Sequence, residues 1–540
     1  MTDAKSSPFA PLRSHMFLAI WIAAMASNVG TWVQSVGEKW LMAEITRSPL
    51  LMSLIETGAT LPMLALSMPG GAIADIVDRR RMLLVTQTWM LLAAAAMAIL
   101  SALHLVTPGV LIGMSLLLGV GAALNSPAWQ ASVPDLVPKD QIAAGVVLNS
   151  AGFNVSRAVG PALGGLVVGL FGATWAFALN AVSFVGVLIV LKGWKRRPVT
   201  TDLPAERFSA AMKVGLRYTW HSKELQIILL RGGSFVFFGG PIFSLLPTLA
   251  IHRLQLGSTA FGLLLGCIGA GAVGATLVLP ALRRKYNPNV LMAGATATFA
   301  AGLLVLAFVA HTLSVGLALL VCGAGWLTVL STCNTGVQLS VPSWVRARAL
   351  GVYITVWGGA MAGGAAFWGV VGERWGIHVA YAAAGLGMLL LLAATARLKI
   401  RALHQPPDLS PHHLEPHSPG PIHPDQGPIL TVLEYRIPEA RKTAFQEAMR
   451  EVRRIRIRDG AVRWSLFQDL VPPDPGQLRF VESFLSSSWG EHLRQHHRAT
   501  VEDRAFLRKA YALGAESRPR IRHLAAAWED QSSILDRILE

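Results

Sequence analysis

Over roughly the first 400 residues, apolar positions run together instead of alternating with polar ones. The runs are long enough to cross a hydrocarbon core about 30 Å thick at about 1.5 Å of rise per residue. Twelve membrane helices are expected, over 16–42, 50–74, 82–104, 109–133, 142–170, 174–193, 225–250, 259–282, 290–311, 314–337, 349–371 and 377–396. The first is too long for a signal-peptide core and lacks a cleavage-type sequence leading into a soluble domain, so it reads as a retained span. From Ile429 the pattern changes. Ile429–Arg436 alternates as a strand does, Glu439–Arg458 has helical spacing, Val462–Leu470 and Leu478–Leu485 read as strands around a Pro-Pro-Asp-Pro-Gly turn, and Trp489–Tyr511 is helical again. With Ile521–Ala527 as a last strand, this is the order of a ferredoxin-like α+β unit.

Composition supports a membrane protein. Of 540 residues, 53% are hydrophobic and 14% charged, and the mean hydropathy is +0.47. A soluble domain carries about 25% charged residues, so disorder, collagen and a purely soluble enzyme are excluded. A net charge of +16 would suggest nucleic acid in a soluble protein, but here the cations sort by loop and no nucleic-acid partner is expected. Arg79–Arg81, Lys139, the 192–223 loop, Arg283–Lys285, Arg346, Arg348, Arg397, Lys399 and Arg401 fall on one side; Arg47, Arg253 and Arg374 fall on the other. The basic side marks the cytoplasm, which places both termini inside, in a bacterial inner membrane. The expected divisions are a short N-terminus (1–15), a six-helix half (16–193), a central loop (194–224), a second half (225–397), a linker (398–428) and a C-terminal domain (429–540). Residues 402–428 are Pro- and His-rich, and His412-His413 reads as a solvated tract ahead of a metal site. Cys267, Cys322 and Cys333 lie in apolar segments without ligand spacing, so neither disulfide, metal nor cofactor is expected.

Two segments repeat. Gln130-Ala-Ser-Val-Pro134 follows span four and Gln338-Leu-Ser-Val-Pro342 follows span ten; Phe171-Gly172 and Trp375-Gly376 keep nearly the same offset. A duplication six spans apart means two halves of like orientation, with a pathway between them near the bilayer midplane.

These features resemble the major facilitator superfamily. Gly71-Ala-Ile-Ala-Asp75-Ile-Val-Asp78-Arg79-Arg80-Arg81 resembles its loop motif between spans two and three. Asn154-Val-Ser-Arg157-Ala-Val-Gly160-Pro161-Ala-Leu-Gly164-Gly165 resembles the glycine-proline motif of drug–proton antiporters. Asn125-Ser-Pro-Ala-Trp129-Gln130 and Val133-Pro134-Asp135-Leu136-Val137-Pro138 are similar to the enterobactin-exporter-like transmembrane secretion effectors. Trp489-Gly-Glu-His492-Leu-Arg-Gln-His496-His497-Arg498 resembles the last helix of an antibiotic-biosynthesis-monooxygenase domain. Ile76 and Asp78 depart from the loop motif, and the second-half loop Leu279–Lys285 lacks the equivalent acid. The resemblance implies the all-α major facilitator fold, twelve helices in two parallel six-helix halves. It also implies an inner gate built on Gly71, Asp75, Asp78, Arg79 and Arg80.

Ionisable groups inside spans are the informative ones, since each costs ~2.5–3.5 kcal/mol at a helix centre. Arg157, near the middle of span five, keeps its proton and needs an anion: an acidic side chain, an acidic substrate, or a partner in a structural ion pair. Glu56 sits about two turns into span two, and burial favours the protonated form of a carboxyl, which suits proton coupling; an acid at a pore mouth, or one hydrogen-bonded in the bundle, is the plainer alternative. Glu38 and Lys39, flanked by Gln34 and Trp40, are expected to reach toward the membrane interface, with Glu38 and Gln34 kept as pathway candidates. Arg231 is expected to snorkel, or to face the path if its helix side is inward. Gly160, Pro161, Gly164 and Gly165, with Gly262, Gly266, Ala270 and Gly274 of span eight, are expected to let helices pack closely.

In the C-terminal domain, Trp464, Trp489, His492, His496 and His497 offer an enzyme site, while Arg494, Gln495, His496 and Arg498 read equally as a solvated helix face. Dimerisation or regulation through residues 429–540 is expected ahead of catalysis, and the chain is not expected to be an enzyme. No nucleotide-binding fingerprint appears. The expected function is secondary active export of a small organic molecule, siderophore or drug, by alternating access with protons as coupling ion. An importer of the same fold and a membrane-anchored enzyme are the alternatives.

Overall fold

The structure, a computed structural model, describes residues 9–194, 215–342, 344–400, 423, 426–471, 474–515 and 519–526. The side chains of Asp75 and His497, most of the linker with His412-His413, and the central-loop cations between 195 and 214 lie outside the described residues. The chain forms two compact units. The first comprises Met1–Ala205, Ile227–Thr335 and Gly351–Ala402; the second comprises Glu206–Gln226, Gly336–Leu350 and Leu403–Glu540.

Among the described residues twelve helical spans are long and apolar enough to cross a membrane, most of their length lying in the first unit. They are α1 (His15–Ile45), α2 (Pro49–Ile76), α3 (Arg79–Ala102), α4 (Pro108–Leu136), α5 (Ile142–Phe171), α6 (Ala173–Gly193), α7 (Lys223–Gly239), α8 (Ser258–Lys285), α9 (Pro288–Phe308), α10 (Thr312–Ser340), α11 (Arg346–Trp375) and α12 (Ile377–Ala394). Their starts follow local chemistry. Ser48, Thr107 and Asn287 cap the first turns of α2, α4 and α9, each followed by proline, whose missing N–H costs nothing there. The duplication is visible in the backbone. Gly172 between α5 and α6 has φ +86°, and Gly376 between α11 and α12 has φ +89°, a region open to glycine and costly for other residues.

The seventh span departs from the single helix expected. After Gly239 it continues as the short turns Pro241–Ser244, Leu246–Thr248 and a wide turn Leu249–Arg253. Pro241 has no N–H, which leaves the Phe237 carbonyl without its helical donor. The Trp368 indole of α11 donates to that oxygen at 2.9 Å, as a bilayer interior requires.

Close approach of helices decides how the halves meet. α5 packs between α1 and α8. A Cβ at Gly164 would lie 3.0 Å from Val33 Cα and Val36 Cβ of α1, and one at Gly165 would lie 2.7 Å from Gly262 Cα of α8. The expected stripe on α8 is corrected. The contact face is Gly262, Gly266 and Gly269, while Gly274 meets open space and Ala270 is exposed. Steps of four advance 40° too far on a 3.6-residue helix, whereas seven residues return to the same face. On the other side of the bundle, α2 meets α11. Ser48 donates to Glu373 at 2.7 Å, and Thr57 donates to the Ala362 carbonyl at 3.2 Å. Both junctions bind the halves together from the end that carries Ser48 and Glu373 to about mid-bundle.

In the second unit, β1 (Ile429–Pro438), α13 (Lys442–Asp459), β2 (Arg463–Gln468), β3 (Gln477–Ser486), α14 (Trp489–Arg498), α15 (Val501–Tyr511) and β4 (Arg520–Ala525) form an antiparallel sheet of order β2-β3-β1-β4. That is the ferredoxin-like order. The expected last helix is broken in two, because Thr500 and Asp503 form a reciprocal capping box that starts α15 afresh. Phe445, Met449 and Val452 of α13 pack on Leu433, Tyr435, Phe480 and Phe484. Among them Glu482 is fully buried and satisfied by three donors: the Tyr435 hydroxyl at 2.6 Å, the Trp464 indole at 2.9 Å and Arg456 Nε at 3.2 Å. Burial and the Glu482 charge raise the Tyr435 hydroxyl well above its ordinary range.

Two outcomes follow. Gly165→Val should lower the thermal stability of the detergent-solubilised chain by about 1–3 kcal/mol through overpacking, whereas Gly274→Val should leave it unchanged. Glu482→Ala, which strands Arg456, should cost the sheet about 3–5 kcal/mol. Hydrogen exchange of β1 and β3 amides should then accelerate by about two to four orders of magnitude.

Candidate functional site

Four helices of the first half converge on a polar chain inside the bundle. Gln34 and Glu38 are one helical turn apart on α1 and so share a face. Asn180 of α6 donates to Gln34 at 2.6 Å, Gln34 donates to Glu38 at 2.7 Å, and Ser115 of α4 donates to the other Glu38 oxygen at 2.9 Å. Beside them Lys39 forms an ion pair with Glu56 of α2 at 2.8 Å. Glu38 and Lys39 are each 5% exposed, which overturns the expectation that they reach the interface. They lie about two turns before α1 ends at Ile45, where α2 and α4 supply partners that leave no reason to snorkel.

Next to this network, between the two halves, lies a small hollow. Trp32, Ser35, Lys39, Arg157 and Pro161 line it from the first half, and Phe243, Leu265 and Ile268 from the second. Among the described residues Arg157 has no hydrogen-bond or ion-pair partner, and Glu56 is the carboxylate whose field reaches it. The wall therefore presents one neutralised cation, Lys39, and one open cation, Arg157, among aromatic and aliphatic surface. If the halves part to widen it, such a hollow offers apolar walls for an organic body and a guanidinium that can bind a carboxylate or similar group bidentately. A second small hollow, lined by Trp21, Trp129 and Trp194, lies wholly within the first half.

Sequence reasoning found Arg157, Glu56, Glu38 and Gln34, and the structure gathers the last three with Lys39 beside the first. It missed Lys39, Ser115 and Asn180 as members of one network. Polar residues at helical spacing on α1 signalled one face, but nothing in the sequence pairs that face with α4 and α6.

Other candidates sit elsewhere. Arg231 is buried away from the cavity, donating to Asn289 at 2.9 Å and to the Leu398 carbonyl at 3.3 Å; it neither snorkels nor lines the path, but ties α7 to the start of α9 and the segment after α12. In the loop motif, Asp78 caps α3 by accepting from Arg81 N. Arg79 bonds the Ala131 carbonyl at 2.7 Å and pairs with Asp135, and Arg80 bonds the Leu191 and Lys192 carbonyls at 2.9 and 2.8 Å. These arginines complete the C-terminal ends of α4 and α6, where cations are favoured. Gly71 has nothing within 4 Å of a would-be Cβ. In the second half Arg283, in the last turn of α8, reaches Ser331 of α10 at 2.9 Å.

In the second unit the solvated-face reading of α14 holds for Arg494, which is exposed, and is overturned for Gln495 and Arg498, which are buried, because both the sheet and other segments cover the helix. Arg498 donates to the Asp459 carbonyl at 2.7 Å and stacks 4.5 Å over Trp344, and Arg458 lies 5.2 Å over Tyr218. Tyr218 and Trp344 meet edge to face at 5.7 Å. Burial pushes the His492 imidazole down to about 3, with His496, His523 and Arg456 adding to it.

A sequence profile of the transmembrane secretion effectors matches residues 6–531. The Staphyloferrin A transporter of Staphylococcus aureus is 28% identical over 255 residues, 47% of this chain and 64% of that protein, so the match spans less than two thirds of it. The multidrug efflux pump Tap of Mycolicibacterium fortuitum is 24% identical over 408 residues, 72% of this chain and 95% of Tap. The enterobactin exporter EntS of Salmonella choleraesuis is 25% identical over 408 residues, 74% of this chain and 96% of EntS. Among solved structures, a D-xylose–proton symporter superposes with a TM-score of 0.59 at 14% identity, covering 72% of this chain and 99% of that one. A bacterial homologue of the lysosomal transporter Spinster, inward-facing and unoccupied, gives 0.56 at 15% identity, covering 72% and 96%. These two likenesses concern the fold alone: two six-helix halves around a central cavity. With the family profile spanning nearly its whole length, the chain belongs to the transmembrane secretion effector family of major facilitator transporters.

Proposed function

We propose that this protein exports a small organic anion, of siderophore or drug-like class, across the bacterial inner membrane by alternating access. The observation that carries this reading is Arg157: a guanidinium without an ion-pair partner among the described residues, facing a chamber between the two halves. The arginine-rich end is read as cytoplasmic, with both termini there. The halves are joined at the other end, through Ser48, Thr57, Glu373 and the Gly165–Gly262 crossing, which corresponds to a chamber reached from the cytoplasm. The kinship with an enterobactin exporter and a multidrug efflux pump supports export of a siderophore or drug-like molecule.

Glu56 is the proposed proton site. As a carboxylate it holds Lys39 and with it joins α1 to α2; once protonated it releases Lys39 and loosens that link, a change that can bias two arrangements of the halves. The charge count favours a second reading. Protonation of Glu56 leaves both Lys39 and Arg157 uncompensated, so anion and proton bind together more readily, which is the logic of cotransport and of an importer. The two readings differ in sign. Under exchange, substrate affinity falls as pH falls; under cotransport it rises.

The test is transport by inside-out vesicles, with a panel of siderophores and drugs, with and without an uncoupler. Arg157→Ala should reduce uptake of an anionic substrate about 10–100-fold, the worth of a charge-assisted hydrogen bond, and Arg157→Lys should recover part of it. Glu56→Gln should remove the uncoupler's effect and keep substrate counterflow. Wild-type rates in both variants would overturn the assignment.

A further inference from the structure

The register of the C-terminal sheet brings together three residues that the sequence keeps apart. Thr431 of β1 pairs with Phe484 on β3 and with His523 on β4, so the three stand in a row across one face of the sheet. α14 lies over that row. His492 and His496, one turn apart on α14, point their Nε2 atoms at each other across 3.3 Å. The rings of His492 and His523 are 4.7 Å apart, and one ligand nitrogen from each of the three histidines falls within 4.8 Å of the other two.

The geometry points to a divalent transition-metal site, of the zinc class, built from His492, His496 and His523. Two imidazole nitrogens bound at about 2.0–2.1 Å to one tetrahedral zinc lie about 3.3 Å apart. The His492–His496 pair already has that separation, and a small side-chain rotation brings in His523. Three nitrogen donors and a vacant fourth position form an open coordination set, suited to zinc, copper or nickel over the oxygen-seeking magnesium and calcium.

The surroundings fit such an ion. Trp489 lies 5.4 Å from the His492 ring and 5.9 Å from that of His523, and Phe484 stacks at 6.2 Å, so the site is walled by rings. Thr431 Oγ1 is 3.5 Å from His492 Nδ1, placed to fix the ring with Nε2 toward the metal. The neighbouring cation, Arg456, is already paired with Glu482 at 3.2 Å, which limits its repulsion of a bound ion. His-x-x-x-His on a helix was readable in the sequence; the third ligand arrives only through strand pairing.

The test uses the full chain, untagged and chelator-washed in detergent, titrated with Zn²⁺ against a chromophoric competitor. The expected result is one tightly held Zn²⁺ per chain, and with Co²⁺ the intense visible bands of low-coordinate nitrogen ligation. His492→Ala and His523→Asn should each abolish the stoichiometric ion. Because His492 is buried and its loss can disturb the fold, His496→Gln, at a half-buried position, serves as the second variant and should also lose it. Thr431→Val should weaken binding about tenfold. His412→Gln/His413→Gln should keep the full equivalent. Failure of the wild type to compete for Zn²⁺, unchanged binding in the three ligand variants, or loss confined to the His412/His413 variant would overturn the site.

Discussion

A polar atom sealed inside an apolar bundle must find its partner in the protein, because lipid supplies none. Much of this molecule follows from that demand. Lys39 takes Glu56 from the next helix, Gln34 and Glu38 draw Asn180 and Ser115 inward, and the carbonyl stripped of its donor by Pro241 takes the Trp368 indole. Each satisfied group also ties two helices together, so the same bonds that make burial tolerable set the arrangement of α1, α2, α4 and α6. Against this background Arg157 stands out, since among the described residues it has no hydrogen-bond or ion-pair partner, while Lys39 beside it has Glu56. A site that leaves a guanidinium open faces water or a ligand, and this one faces the chamber between the halves.

The second constraint is bulk. Where Gly165 meets Gly262 and Gly269 meets Ala158, a side chain on either glycine has no room, so the halves touch backbone to backbone along one line. Such a seam has few interlocking side chains to withdraw. It holds firmly by surface contact yet resists rolling little, which suits two rigid halves that rock about a fixed centre.

Most of the fold was legible because its cause is local. Hydrophobic run length places a span without reference to its neighbours, and the twelve expected stretches agree with α1–α12 to within a few residues at most ends. The duplication was readable too: Gly172 and Gly376, matched by sequence offset, adopt the same positive φ. What escaped was long-range. Lys39 read as a residue reaching the interface because its helix alone offers no acid at the right height, and Arg231 read the same way until Asn289 and Leu398 came into view. α14 looked solvated because its charges repeat at surface spacing, whereas Arg498 spends its charge on Asp459, Glu491 and the face of Trp344. The break at Thr500 had a local signature, Thr-x-x-Asp, and was open to being read.

The stacking of Arg498 on Trp344 and of Arg458 on Tyr218 has a thermodynamic consequence. Residues 215–220 and 344–350 belong to the same compact unit as the C-terminal sheet, yet they are joined by peptide bonds to α7 on one side and to α10 and α11 on the other. In each stack a guanidinium lies flat over an aromatic face, an attraction that strengthens as water is excluded. The sheet is thus fastened to segments 215–220 and 344–350 by side-chain contacts as well as by chain connectivity, and a substitution that removes either ring loosens α13 or α14 from the segment it covers.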